Sequence, residues 1–200
     1  METPSRVLGG VSVPDTQLVA RAIEYLRSLS EPFLFNHAVR SWLFAVRLAQ
    51  LQTLSYDAEV VAVGSLLHDI GLTRSFDGPR RFEVEGADGA SAFASAQGMD
   101  AGRAKLIWDC VALNSKPSVA LYKEPEVVLC TEGVALDFGG RACERIPGAD
   151  VAYILDAYPR LQLKRNVSGC LCNIVRAKRF VAGHKPVSTV DLLRDAPLEE

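Results

Sequence analysis

Asp57-Ala58-Glu59-Val60-Val61-Ala62-Val63-Gly64-Ser65-Leu66-Leu67-His68-Asp69-Ile70-Gly71 is the stretch that decides the fold of this 200-residue chain. Asp57 has the short acceptor side chain that caps helix N-termini. Residues 58–69 then run apolar on nearly every side. A helix with no polar face belongs at the centre of its domain. It ends on a histidine followed at once by an aspartate, where Gly71 can stop the helix and let both side chains turn toward one point. One imidazole nitrogen and one carboxylate oxygen from adjacent residues suit a divalent metal ion. The chain has only three histidines, so one at the end of a buried helix carries weight.

Outward from this segment the pattern stays helical. Toward the N-terminus, Asp15 is placed to cap a helix over 16–29, with Leu18, Val19, Ala22, Ile23 and Leu26 at helical spacing. Ser30-Glu31-Pro32 breaks it, and a longer helix follows over 33–52. Toward the C-terminus, residues 72–86 read as a loop. Asp88 opens a helix that Gly98 ends, and residues 100–113 form the next. Pro117 and Pro125 bracket a short element. Helices over 126–138, 150–158 and 161–181 complete the pattern. No stretch alternates in the manner of a strand. The expectation is a single all-α helical bundle over 14–185, with a flexible N-terminus at 1–13 and a tail at 186–200.

Composition narrows the partners. Hydrophobic residues make up 48% of the chain and the formal net charge is −2, a soluble globular balance with no basic excess for nucleic acid. No run of about 18 apolar residues is present to span a bilayer, and the N-terminus lacks the layout of a signal peptide. Cys110, Cys130, Cys143, Cys170 and Cys172 are odd in number and irregularly spaced. They predict neither a disulfide framework nor a structural zinc site, and they fit a reducing cytoplasm. Cys170-Leu171-Cys172 reads as a pair of ordinary helix cysteines. The expected partner is a small-molecule substrate, and assembly into a homo-oligomer is compatible with this composition.

Two further residues can converge with the His-Asp pair. His37 lies in Asn36-His37-Ala38-Val39-Arg40 and Asp137 closes the helix over 126–138. A histidine, a His-Asp doublet and a later aspartate form the pattern H…HD…D. The pattern resembles that of the HD-domain superfamily of metal-dependent hydrolases, and the resemblance covers about residues 15–181. It implies His37, His68, Asp69 and Asp137 as metal ligands. Two neutral imidazoles and two carboxylates make a mixed N/O set for one divalent ion, zinc foremost, with iron and manganese as alternatives. No histidine lies between Asp69 and Asp137, so the histidine-rich second site of dinuclear members cannot be built. His184 reads as a surface residue.

Within the superfamily the chain most resembles the cyanamide hydratase-like group, through Phe82-Glu83-Val84-Glu85-Gly86-Ala87 and Ile107-Trp108-Asp109-Cys110-Val111-Ala112-Leu113-Asn114. That group commonly ends the second stretch in histidine, where this chain has Asn114. The resemblance implies an enzyme, a metal-dependent hydrolase or hydro-lyase. It would add metal-activated water to a small neutral nitrile, cyanamide or amide. Asp69 and Glu83 are the candidate catalytic groups, Glu83 by orienting a ligand histidine or handling the proton. Asn114, Arg40 and Thr73 are the candidate substrate contacts. The alternatives are a phosphohydrolase in which Arg40 clamps a phosphate, and a binding module that keeps the metal as a staple. Against the phosphohydrolase, Leu72 stands where the HD pair of such enzymes is often followed by Ile-Gly-Lys. One ion per chain is expected, to be counted by elemental analysis of metal-replete protein; two tightly bound ions would refute the mononuclear centre.

Overall fold

Apart from a short N-terminal hairpin, helices build the whole molecule in the computed structural model, which describes residues 4–140 and 142–178. The order is β1 (Ser5–Leu8), β2 (Val11–Pro14), α1 (Gln17–Leu29), α2 (Pro32–Gln52), α3 (Ala58–Leu67), α4 (Phe82–Ala96), α5 (Ala101–Leu113), α6 (Pro117–Ala120), α7 (Pro125–Phe138), α8 (Gly148–Ala157) and α9 (Leu163–Lys178). Short 3-10 turns at Ile70–Leu72, Arg74–Phe76 and Ala142–Glu144 link them. The all-α bundle expected from the sequence is the fold, with the hairpin added.

α3 holds the centre, as an all-apolar helix must. Every residue from Val60 to Leu67 is buried, and the helix packs against α1, α2, α4, α5 and α7. Its N-terminus is capped by Asp57, whose carboxylate accepts from the backbone N–H groups of Glu59 and Val60 at 3.1 Å each. Arg103 of α5 grips the same carboxylate through Nε and Nη2. That contact holds Asp57 below its ordinary range although burial alone would raise it. The cap therefore also pins α5 to α3.

Three local readings change. Residues 5–14 are an antiparallel hairpin rather than part of a flexible end, with Leu8 opposite Val11 and Ser5 opposite Pro14. Gly9 and Gly10 turn it at φ of +51° and +79°, the twist that two-residue hairpin loops require. Val11 and Val13 are buried, and β2 rests on α2 and α3. Second, the cap of α1 is Thr16, whose hydroxyl accepts from Val19 N–H at 3.3 Å, not Asp15. Third, α4 begins at Phe82, well before Asp88. Asp88 lies inside the helix, accepting from Arg80 and from the Trp108 indole at 2.7 Å each. Of the expected tail and of His184, all lies outside the described residues.

The described residues hold no helix long and apolar enough to cross a membrane. Cys110, Cys130, Cys170 and Cys172 are free thiols. The core has two parts: a large cluster around α3, and a smaller one of Phe33, Leu34, Phe82, Leu163, Val167 and Leu171 where α9 meets α2 and the start of α4.

α2 and α7 form the most extensive helix pair, and Gly133 sets how close they come. A Cβ there would run into the Ser41 carbonyl oxygen and lie 2.9 Å from the Ala45 methyl. Backbone cannot yield as a flexible side chain can. Gly133→Ala should therefore cost about 3 kcal/mol of stability, read as a lowered urea midpoint with an unchanged slope.

Candidate metal centre

α3 ends at Leu67, so His68 and Asp69 occupy the first two positions beyond it. His68 keeps helical backbone angles and Asp69 departs from them at φ −114° and ψ 12°. That departure swings the carboxylate back beside the imidazole. Gly71 does not end the helix. Its hydrogen lies against α4, where a Cβ would strike the Phe82 carbonyl. A Cβ on Gly86 would in turn come within 2.9 Å of Gly71 N. The Gly71–Gly86 contact lets the start of α4 lie directly on the turn that carries the pair.

His37, in the second turn of α2, faces the pair from the neighbouring helix. Its Nε2 lies 3.2 Å from His68 Nε2 and 3.6 Å from Asp69 Oδ2, and His68 Nε2 lies 3.2 Å from that same oxygen. These three residues form the one cluster among the described residues that meets the geometric demands of a metal site. Two ligand atoms about 2.1 Å from one ion and at tetrahedral angles stand about 3.4 Å apart. The triangle has edges of that length.

Hydrogen bonds on the far side of each imidazole decide what the triangle can hold. His37 Nδ1 lies 2.7 Å from Asp137 Oδ2, and His68 Nδ1 lies 2.7 Å from the Ser65 carbonyl oxygen. Both neighbours accept, so both Nδ1 atoms carry the proton and both neutral rings turn an Nε2 lone pair inward. Two lone pairs and a carboxylate oxygen then meet with no donor between them. Only a cation or an added proton relieves that. Burial opposes charge on His68, yet Asp69 raises its pKa above the ordinary histidine range. Asp69 is held low against its own burial by His68 and then His37. A metal ion must displace this proton, so its affinity rises with pH. The donor set fits a divalent ion.

Asp137 stands behind His37, not in the triangle. Arg40 Nε donates to its Oδ1 and Nη2 to its Oδ2, each at 2.8 Å, and Arg160 Nη1 donates to its backbone carbonyl at 2.8 Å. Burial alone would raise the Asp137 carboxyl; His37 and Arg40 hold it well below the usual carboxylate range. Arg40 is itself fully buried, and its Nη1 donates to the Tyr158 and Pro159 carbonyls at 2.9 and 3.0 Å.

The other sequence candidates are placed as follows. Glu83, buried in the first turn of α4, pairs with Arg81 and accepts from the Ser115 hydroxyl at 3.1 Å. Asn114 is buried and gives its amide N–H groups to the carbonyls of Val111 and His68 at 2.7 and 3.2 Å, bracing the ligand's backbone. Thr73 closes its own turn, donating to the Ile70 carbonyl at 2.6 Å. Ser65 and Arg160 were not singled out from the sequence. Ser65 contributes its backbone carbonyl, so no residue type at that position signals the first; no local pattern marks the second.

Asp69 is the most exposed of the three, at 12% of its side chain. Around it stand Leu34, one turn before His37, Leu72, three residues after Asp69, and Phe138, whose ring centre is 6.2 Å from that of His37. Cys170 of α9 is close enough for the Asp69 charge to join burial in raising its thiol. No protein-family model matches the chain, and no curated protein matches it.

Asp137→Asn separates bracing from ligation. The amide cannot accept from His37 while keeping its pairing with Arg40. If Asp137 acts through His37, zinc should still bind at one per chain, with affinity lower by about 10–100-fold in competition with a chromophoric chelator. Complete loss of zinc from a folded variant would make Asp137 a ligand.

Proposed function

We propose that this chain is a metal-dependent hydrolase or hydratase of the HD-domain type, acting on a small neutral substrate. His37, His68 and Asp69 would hold one divalent ion, zinc before iron or manganese. The supporting observation is the donor-free triangle of metal-ligand atoms lying beside the apolar cluster that includes Leu34, Leu72 and Phe138. When bound, the ion supplies Lewis acidity and a water acidic enough to ionise near neutral pH.

The residues divide the remaining work. The Asp137 and Ser65 contacts fix both imidazoles in one tautomer and orientation, so no reorganisation is needed when charge develops. Asp69 takes part in the triangle through Oδ2. Asp69 would also accept the proton that the attacking water loses and return it to the substrate nitrogen. For a nitrile, the new C–O bond forms as one C–N π bond opens, and the nitrogen takes up that proton. For an amide, the C–N bond breaks and the amine leaves with it. Phe33, Leu34, Phe82 and Leu72 exclude water and favour an uncharged body, because a charge placed there would lose its hydration without a partner. Glu83 anchors the first turn of α4 and with it Phe82. Arg40, bonded to Asp137 and two carbonyls, has no side open to a phosphate. This weighs against the phosphohydrolase alternative.

A panel of nitriles, cyanamide, amides and phosphate monoesters tests the reading on zinc-, iron- and manganese-loaded protein. Turnover is expected on members of the nitrile or amide sets. Chelation should abolish it while the helical circular dichroism persists. Asp69→Asn should lower kcat by about 10²–10⁴-fold. Efficient hydrolysis of phosphate esters alone would overturn the substrate class. Tight metal without turnover on any set would leave a structural staple.

A further inference from the structure

A second polar concavity lies on the face of α2 away from the metal triangle, between β1, α1, α2 and the end of α8. This cleft of about 250 Å³ is lined by Arg6, Glu24, Arg27, Phe35 and Tyr158 over a floor that includes Ala20, Ile23 and Val39. Its volume is just below the usual range of about 300–1,000 Å³ for small-molecule sites.

The two arginines around this floor keep unused hydrogen-bond donors. Arg6 Nε is buried without a hydrogen-bond partner, and the nearest charge, Asp15, is 3.6 Å from it, beyond hydrogen-bond reach. Arg27 lies over the Phe35 ring at 4.7 Å from its centre, a contact that leaves the N–H groups at the guanidinium edge free to donate. Among the described residues neither arginine makes a hydrogen bond, and Arg27 makes no ion pair. Both also act on Tyr158: burial raises its phenol, and Arg6 and Arg27 pull it back down. Two guanidiniums thus bear on one phenol, with only Glu24 of opposite sign in the lining.

We propose that this cleft binds a small carboxylate carrying a flat apolar body. The carboxylate bridges Arg6 and Arg27, with the Tyr158 hydroxyl as a further donor. The body lies beside Phe35 on the Ile23–Val39 floor. Planar guanidiniums match a carboxylate's two oxygens, and the aromatic and aliphatic lining matches a ring. Glu24, at the rim, disfavours a second negative charge and so selects against phosphates. The site is separate from the metal triangle: Tyr158 meets Arg40 only through its backbone carbonyl, at 2.9 Å.

Calorimetry and amide NMR on the zinc-loaded full chain provide the test, with benzoate as probe and benzamide as its neutral counterpart of nearly the same shape. Benzoate should saturate one site and shift the amide signals of Arg27, Phe35 and Tyr158, with benzamide weaker by about tenfold or more. Arg27→Gln, a change at an exposed position, should weaken benzoate by about the same factor while leaving bound zinc at the wild-type level. Arg6→Gln gives a second, independent removal of a donor. Equal affinity for benzoate and benzamide would overturn the proposal. So would undiminished benzoate binding in both arginine variants, which would place the carboxylate on the zinc. Absence of saturation up to the solubility limit of benzoate would overturn it as well.

Discussion

The hydrogen bond between His37 Nδ1 and Asp137 is the contact on which the centre depends. Asp137 fixes the tautomer of His37, and that tautomer turns an Nε2 lone pair toward His68 and Asp69. A carboxylate this deeply buried needs a counter-charge, or it would neutralise instead. Arg40 supplies it through two parallel N–H···O contacts. Arg40 in turn is a buried cation whose remaining donors must be met, and the carbonyls of Tyr158 and Pro159 meet them. Each member is stable only because the next is present. Breaking a buried pair of this kind by removing one partner is far costlier than the net worth of the pair suggests.

Much of this was legible before the fold was known. The apolar run of residues 58–67, its Asp57 cap and the following His-Asp pair located the central helix and two members of the triangle. His37 was legible through its place on an amphipathic helix and through the H…HD…D resemblance. The hairpin was not read, although Gly9-Gly10 between Leu8 and Val11 is a turn signal. Each strand is four residues long, too short for alternation to stand out. The early start of α4 was hidden because Arg80, Arg81, Glu83 and Glu85 look like a solvated loop. Their ion pairs, Arg80 with Glu85 and Arg81 with Glu83, lie at the helix's first turn.

The site shows where spacing alone runs out. Asp137 was read as a metal ligand, whereas it stands on His37 Nδ1 outside the triangle, and the sequence does not say which nitrogen of His37 it faces. That depends on how closely α7 approaches α2, and Gly133 governs the approach. Arg40 looked like a ligand clamp because arginine three residues after histidine lies on the same helix face. Full burial gives it a different task. Glu83 and Asp137 were both assigned from their chemistry as carboxylates; distance separates them, since only Asp137 touches a ligand imidazole.

The link between α8 and α9 is stapled to α2 by Asn36 and Arg40 and to α7 by Arg160, which bears on the order of events during synthesis. His37, His68 and Asp69 leave the ribosome long before residues 158–160 do. Any ion met in that interval would find three side chains not yet held in place, and would exchange freely. Firm binding would come only when the late segment docks, fills the last donors of Arg40 and so immobilises Asp137 behind His37. A metal held by the finished centre would then be the one bound under the conditions prevailing when residues 158–160 are in place.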